Sequence, residues 1–214
     1  MLILAVVTSY LLGSLPWGLW LTRLRGVDVR RVGSGNLGAT NVARAAGYRW
    51  AAVVLLLDAA KGALAVALGR ALSGGGAEAP FLPALCGVLA VLGHATTPWA
   101  GFRGGKGVAT GAGTAAVLMP LPFVAALLVF GAVLAAGRIV SLASVLAALA
   151  LAPAAWILLP ESPERPWLLA WAVAVALVIV VRHAGNLRRL LRGREPRLGR
   201  RSHRHEEGAL RESS

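Results

Sequence analysis

The sequence predicts an all-α, polytopic transmembrane helical bundle of seven spans, some short or broken, with its N-terminus outside and its C-terminus in the cytoplasm. Three observations predict it. The chain of 214 residues is 57% hydrophobic and only 14% charged. Its apolar residues gather in runs at about 2–22, 51–72, 81–99, 108–136, 139–159 and 167–181, most of them near the ~20 residues that cross a bilayer. Its basic residues, which give a net charge of +13, lie almost entirely between those runs.

The first run carries no basic residue from Met1 to Val7 and is followed at once by Arg23 and Arg25. That asymmetry marks a retained span with an outside N-terminus. The fourth run is too long for one span. At about 1.5 Å per residue a continuous helix from 108 to 136 would exceed 40 Å, and Pro120 and Pro122 interrupt it. Splitting it at Met119-Pro120-Leu121-Pro122 into pieces of roughly 12 and 15 residues gives seven segments. Nineteen of the 22 Lys and Arg then fall on the inner side, chiefly Arg23 to Arg49, Arg103, Lys106, Arg138 and the ten from Arg182 onward. Six segments would export the basic C-terminus, against the positive-inside bias. The same bias accounts for the net charge without nucleic acid, because no basic face is interleaved with aromatics. Residues 1–190 therefore form one membrane-embedded domain, and 191–214 read as a basic, disordered cytoplasmic tail drawn to anionic lipid. His203 and His205 in that tail are poor evidence for a metal site, and no cofactor is expected. Cys86, the single cysteine, lies in an apolar run and forms no intrachain disulfide.

Two glycine-rich loops lie on the inner side. Val32 to Asn41 reads VGSGNLGATN. Its glycines allow positive φ, which turns successive N–H groups into a concave nest suited to phosphate. Ser34, Asn36, Thr40 and Asn41 add short donors, and Arg44 adds a guanidinium fork. By itself this loop serves equally well as a flexible connector. The second loop, Gly101 to Thr110, places Lys106 just before an apolar run, where helix N-termini favour anions. It is not a Walker A loop: Ala100 stands at the first glycine position, and Gly107 replaces the magnesium-binding Ser or Thr.

Other polar positions have structural readings of equal or greater weight. Asp58 and Lys61 share a helix face at i, i+3 and read as an internal ion pair. Ser141 and Ser144 are one turn apart and, taken alone, suit helix contacts or back-bonding. His183 and Asn186 are likewise one turn apart at the inner end of the last span. His94 reads as a structural hydrogen-bonder. The seven tryptophans mostly mark segment ends, as interfacial belts do.

In combination these pieces resemble the bacterial acyl-phosphate:glycerol-3-phosphate acyltransferase family. The resemblance rests on Gly13 to Gly18, Val32 to Arg44, Leu57 to Gly62, Gly93-His94, Gly101 to Thr110, Val140 to Ser144, and Arg182-His183 with Asn186. It departs at Thr96-Thr97-Pro98, where relatives carry an aromatic-proline pair, and at Ala184-Gly185, where they often carry charge. The resemblance implies a seven-span enzyme of the bacterial inner membrane whose active site faces the cytoplasm. Its partners would be glycerol 3-phosphate, long-chain acyl phosphate and the bilayer. It implies catalytic roles for Ser34, Arg44, Lys106, His183 and Asn186. Substrate contacts would come from Gly35, Asn36, Gly38, Ala39, Thr40, Asn41, Gly104, Gly105, Ser141 and Ser144.

The chemistry suits these residues. An acyl phosphate is a mixed anhydride with a good leaving group, so orientation and charge neutralisation suffice and no acyl-enzyme is needed. The proton acceptor is either the substrate's own phosphate or His183. The competing reading is a transporter or channel for an organic phosphate. Against it, the motifs lie on one face instead of at the midplane, and no inverted repeat is visible.

Overall fold

The computed structural model describes residues 1–74 and 81–199. Within them the chain forms ten α-helices and two short 3-10 turns, with no strand. The first run is two helices, α1 (Leu2–Ser14) and α2 (Trp17–Leu24), because Pro16 cannot supply the N–H that a continuous helix needs. A 3-10 turn at Val29–Arg31 and the first glycine loop lead to α3 (Ala39–Ala46), which stops at Gly47 in a left-handed φ of 89°. Then come α4 (Tyr48–Ser73) and α5 (Leu82–Ala95), a 3-10 turn at Pro98–Ala100, and the second glycine loop. The fourth run is divided as its prolines predict. Helix α6 (Val108–Leu118) ends at Met119, and α7 (Pro120–Gly137) begins with proline at its first position, where no N–H is required. The second piece runs 18 residues and is long enough to cross by itself, whereas α6 has only 11. Helices α8 (Val140–Leu158), α9 (Arg165–Arg182) and α10 (Ala184–Leu191) complete the order. Six helical stretches are long and apolar enough to span a membrane, and α6 is the shorter seventh.

Close backbone approach joins the helices, as it does where lipid provides no hydrophobic drive between them. A Cβ on Gly13 would fall on Ala90, and one on Gly93 on Tyr10, so α1 and α5 lie almost in backbone contact. Gly62 against Thr110 and Gly113 against Ala59 do the same for α4 and α6. The main core surrounds Trp171, Val91 and Met119, while α7 turns Leu121, Leu127 and Leu128 outward. A second core of Leu19, Val29, Leu37, Val42 and Val54 lies beneath the first glycine loop. The Thr96-Thr97 departure is absorbed locally: Tyr10 Oη donates to Thr96 O at 2.9 Å and Thr97 Oγ1 to Ser14 O at 2.5 Å.

The expected pair is present, with Asp58 Oδ1 2.8 Å from Lys61 Nζ and both side chains buried. Residues 192–199, assigned to the tail from composition, return to the helices, where Leu198 N donates to Arg138 O at 2.7 Å. The remainder of that tail, with His203 and His205, lies outside the described residues.

Gly113→Val would force α4 from α6 and cost about 1–3 kcal/mol. Gly131→Ala, where an added Cβ meets nothing within 4 Å, would leave the melting temperature in detergent unchanged or higher. Thermal unfolding of both variants checks this.

Candidate active site

The first loop is held open by its own side chains. Asn41, buried at the start of α3, donates through Nδ2 to Val29 O (3.0 Å) and Val32 O (2.9 Å), and its Oδ1 accepts from Ser34 N (3.1 Å). Asn36 Oδ1 accepts from Gly38 N at 2.9 Å, and Gly35 N donates to Val32 O. Gly33 and Gly35 take φ of 55° and 68°, which side-chain-bearing residues resist. Asn41, Gly35 and Gly38 therefore spend their donors on the loop's shape. Among the described residues nothing accepts from the N–H groups of Asn36, Ala39 or Thr40 at the opening of α3, and Ser34 is exposed beside them. Arg44, one turn further, folds back over Gly33 and has no hydrogen-bond partner among the described residues.

The second loop is also anchored through its glycines. Gly104 N donates to Ala95 O (3.1 Å) and Gly105 N to His94 O (3.0 Å). A Cβ on either would strike the end of α5, on Gly105 the His94 ring itself. The Arg182 guanidinium then donates to both their carbonyls, at 2.9 Å to Gly104 and 3.0 Å to Gly105. The backbone N–H groups expected to contact substrate at Gly104 and Gly105 are thus occupied, and these residues act as the seat of Lys106.

Lys106 links the second loop to α10 and feels the charge of Arg44 on α3. Its Nζ donates to Asn186 Oδ1 at 2.6 Å. Burial, followed by the charges of Arg189, Arg44 and Arg182, outweighs the attraction of Glu195 and lowers its pKa to about 8. His183, buried at the end of α9, has Nδ1 2.8 Å from Ile179 O. A carbonyl only accepts, so Nδ1 carries the proton and Nε2 keeps a free lone pair. Burial and then Lys106 lower the His183 pKa to about 4, so the ring is neutral at physiological pH.

Glu195 completes the cluster, and the sequence reading missed it. Its Oε1 accepts from Asn186 Nδ2 (2.5 Å) and Ser141 Oγ (2.8 Å), and its Oε2 from Arg189 Nε (2.8 Å). Burial raises its pKa, but those three hydrogen bonds outweigh it and hold the carboxyl below its ordinary range. The available signal was a lone acid within an arginine-rich stretch. Ser144 stays apart from the cluster: its Oγ donates to Val140 O one turn back, at 2.8 Å. Thr40 is exposed, and Ala39 packs half-buried on the second core. Lys106, Asn186, Glu195 and Ser141 thus form one hydrogen-bonded cluster, with His183 and Arg44 close enough to exchange charge effects with Lys106.

Comparison with known proteins agrees with this picture. A family model described as glycerol-3-phosphate acyltransferase matches residues 3–193. The glycerol-3-phosphate acyltransferase of Anaeromyxobacter dehalogenans is 46% identical over 197 residues, covering 91% of this chain and 96% of that one. Glycerol-3-phosphate acyltransferase 1 of Deinococcus radiodurans is 46% identical over 198 residues, with 92% and 96% covered. Crystal structures of PlsY (YgiH), an integral membrane glycerol 3-phosphate acyltransferase, superpose closely. The glycerol 3-phosphate form has a TM-score of 0.84 at 35% identity, covering 92% of this chain and 96% of that one. The lysophosphatidic acid form has a TM-score of 0.82 at 34% identity, covering 92% and 95%. A family match along nearly the whole length, relatives sharing almost half their residues and a common helical architecture make this chain a member of the glycerol-3-phosphate acyltransferase family.

Proposed function

We propose that this glycerol-3-phosphate acyltransferase takes its acyl group from a long-chain acyl phosphate. It delivers that group to the sn-1 hydroxyl, giving 1-acyl-glycerol 3-phosphate for phospholipid synthesis. The site faces the cytoplasm of a bacterial inner membrane, with the N-terminus outside, as the distribution of arginine predicts. The observation that carries this reading is that Arg44, on the helix whose first N–H groups have no acceptor among the described residues, lies close enough to Lys106 to act on its charge, beside a histidine held neutral. Such a site suits two phosphorylated substrates. Transport of an organic phosphate has no comparable support in a family of acyltransferases.

Arg44, Ser34 and the α3 N–H groups hold the glycerol 3-phosphate dianion. Lys106 and Asn186 face the acyl phosphate, whose phosphate charge Lys106 neutralises. The sn-1 oxygen then bonds to the acyl carbonyl carbon, the bond from that carbon to the phosphate oxygen breaks, and inorganic phosphate leaves with the bonding pair. Developing charge on the carbonyl oxygen meets donors already in place, so little reorganisation is needed. The proton goes to a phosphate oxygen. A phosphate monoester, with a second pKa near 6, is a stronger base than His183 at about 4. His183 then acts through Nε2 as an acceptor that aligns the hydroxyl.

Purified protein given palmitoyl phosphate and labelled glycerol 3-phosphate is expected to form lysophosphatidic acid. With palmitoyl-CoA it should form none, and Arg44→Ala should lower kcat/KM by about a hundredfold, the cost of a charged hydrogen bond of ~2–3 kcal/mol. Product from acyl-CoA alone would reverse the donor assignment.

The lowered Lys106 pKa gives a pH signature. Lys106 is protonated below about 8 and loses its charge above it, so KM for the phosphorylated donor should rise as pH passes that value. Glu195→Gln removes a carboxylate that favours the charged lysine. The rise should therefore begin at lower pH in Glu195→Gln, which KM measured from pH 6 to 9 would test.

A further inference from the structure

Behind the two loops, in the apolar interior, lies a charge cluster that the transfer chemistry does not use. Lys61 Nζ is 2.8 Å from Asp58 Oδ1, and it donates to Leu15 O (2.9 Å) and His94 Nδ1 (2.9 Å). An ammonium has three N–H donors and no acceptor; two are committed to hydrogen bonds here, and the Asp58 carboxylate stands in ion-pair contact. Lys61 and Asp58 are each 2% exposed and His94 7%. Both members of the pair lie on α4, so it is the contacts of Lys61 to the broken end of α1 and to His94 of α5 that tie α4 to its neighbours.

Each of those contacts leads to a glycine loop. Leu15 stands at the break between α1 and α2. Just beyond it, Gly18 lies so close to the Leu37 carbonyl of the first loop that a Cβ would overlap it. His94 leads to the second loop twice, through its carbonyl, which accepts from Gly105 N, and through its ring, whose Nε2 occupies the space where a Gly105 Cβ would lie. Gly105 immediately precedes Lys106. A cavity of about 10 Å³, room for one water, is walled jointly by Asp58, His94, Gly18, Leu37 and Gly105. Parts of both loops and the charge cluster therefore share one wall.

We propose that Lys61, with Asp58 and His94, is a positioning device that fixes the spacing between the two phosphate-holding loops. Lys61 and its partners touch no substrate. They set how far Ser34 and the α3 N–H groups stand from Lys106, and hence whether hydroxyl and acyl carbonyl meet. This rests on the reading that the two loops bind the phosphorylated substrates.

The test uses full-length enzyme in detergent, with melting temperature, kcat and KM for glycerol 3-phosphate measured together. Asp58→Asn/Lys61→Met leaves no unpaired buried charge, and such paired replacements are often tolerated. Its melting temperature should stay near that of the parent while KM rises by about tenfold or more. Partial misfolding lowers kcat through the active fraction and leaves KM alone, so the split separates positioning from stability. His94→Asn keeps a partner for Lys61 and removes the ring from Gly105. It should show the same KM rise, and it decides the matter if the double variant does not fold. A parental KM in whichever of these folds overturns the proposal. Arg44→Ala and Lys106→Ala run in parallel. Raised KM for glycerol 3-phosphate in Arg44→Ala and for the acyl phosphate in Lys106→Ala, with parental KM in the cluster variants, overturns the positioning role alone, whereas parental KM for glycerol 3-phosphate in Arg44→Ala and for the acyl phosphate in Lys106→Ala overturns the loop reading beneath it.

Discussion

The bond from Lys106 Nζ to Asn186 Oδ1, 2.6 Å long and spanning 80 positions of sequence, ties the loop that opens α6 to α10, the last helix among the described residues. The surrounding geometry depends on it. Arg182, four residues before Asn186, grips the carbonyls of Gly104 and Gly105, so the same two segments are joined a second time on the far side of Lys106. With Lys106 seated, Asn186 has a fixed orientation, its amide nitrogen meets Glu195, and Glu195 reaches Ser141 at the start of α8. Three helices and a returning strap are organised around one side-chain contact. Such a contact is worth more in a partly enclosed setting than at an open surface, because an unpaired ammonium or amide there has less water to turn to.

The electrostatic consequence is a site with surplus positive charge. Arg44, Arg182 and Arg189 all bear on Lys106, and Glu195 is a carboxylate set against them. Arg182 is consumed by backbone carbonyls and Arg189 by Glu195, so Arg44 and Lys106 carry the charge left for a ligand. Burial first, and then these neighbouring arginines, depress the Lys106 pKa, and an anion beside it would favour the charged form. Asp28 lies outside this economy, its carboxyl held low by hydrogen bonds from Arg30 on the surface.

Much of the architecture was legible because membrane helices leave strong signals. Pro120 and Pro122 divided a run too long for one span, and the charge count chose seven segments over six. Pro16 carried the same information for the first run, but unbroken hydropathy from residue 2 to 22 concealed the joint between α1 and α2. At the site, residue type was legible and partnership was not. Asn41, Gly104 and Gly105 were recognisable as polar or backbone donors, yet which acceptor each donor meets is a matter of tertiary placement, and all three turn inward to shape their loops. Ser141 and Ser144 look alike in sequence. The helix turns one towards Glu195 and leaves the other to its own preceding carbonyl. Glu195 was obscured by composition, since eight surrounding arginines from 182 to 201 give that stretch the appearance of a solvated tail.

The short α6 explains why such a site can serve a lipid reaction. Eleven residues at about 1.5 Å each reach about 16 Å, half the thickness of a bilayer core. A helix of that length cannot carry its N-terminal loop to one headgroup layer and its other end to the opposite one. The loop holding Lys106 and the turn at Met119 are therefore separated by only half a membrane, with α7 returning from that turn. Glycerol 3-phosphate is wholly polar, and a long-chain donor is apolar except for its head. The two can meet only where charged donors stand at the edge of acyl-chain depth. A full-length span at this position would carry Lys106 about twice as far from the turn at Met119, away from the depth at which the head of the proposed lipid-borne donor would lie. The half-length helix avoids that displacement, which is a reason for the break at Met119 that helix packing alone does not supply.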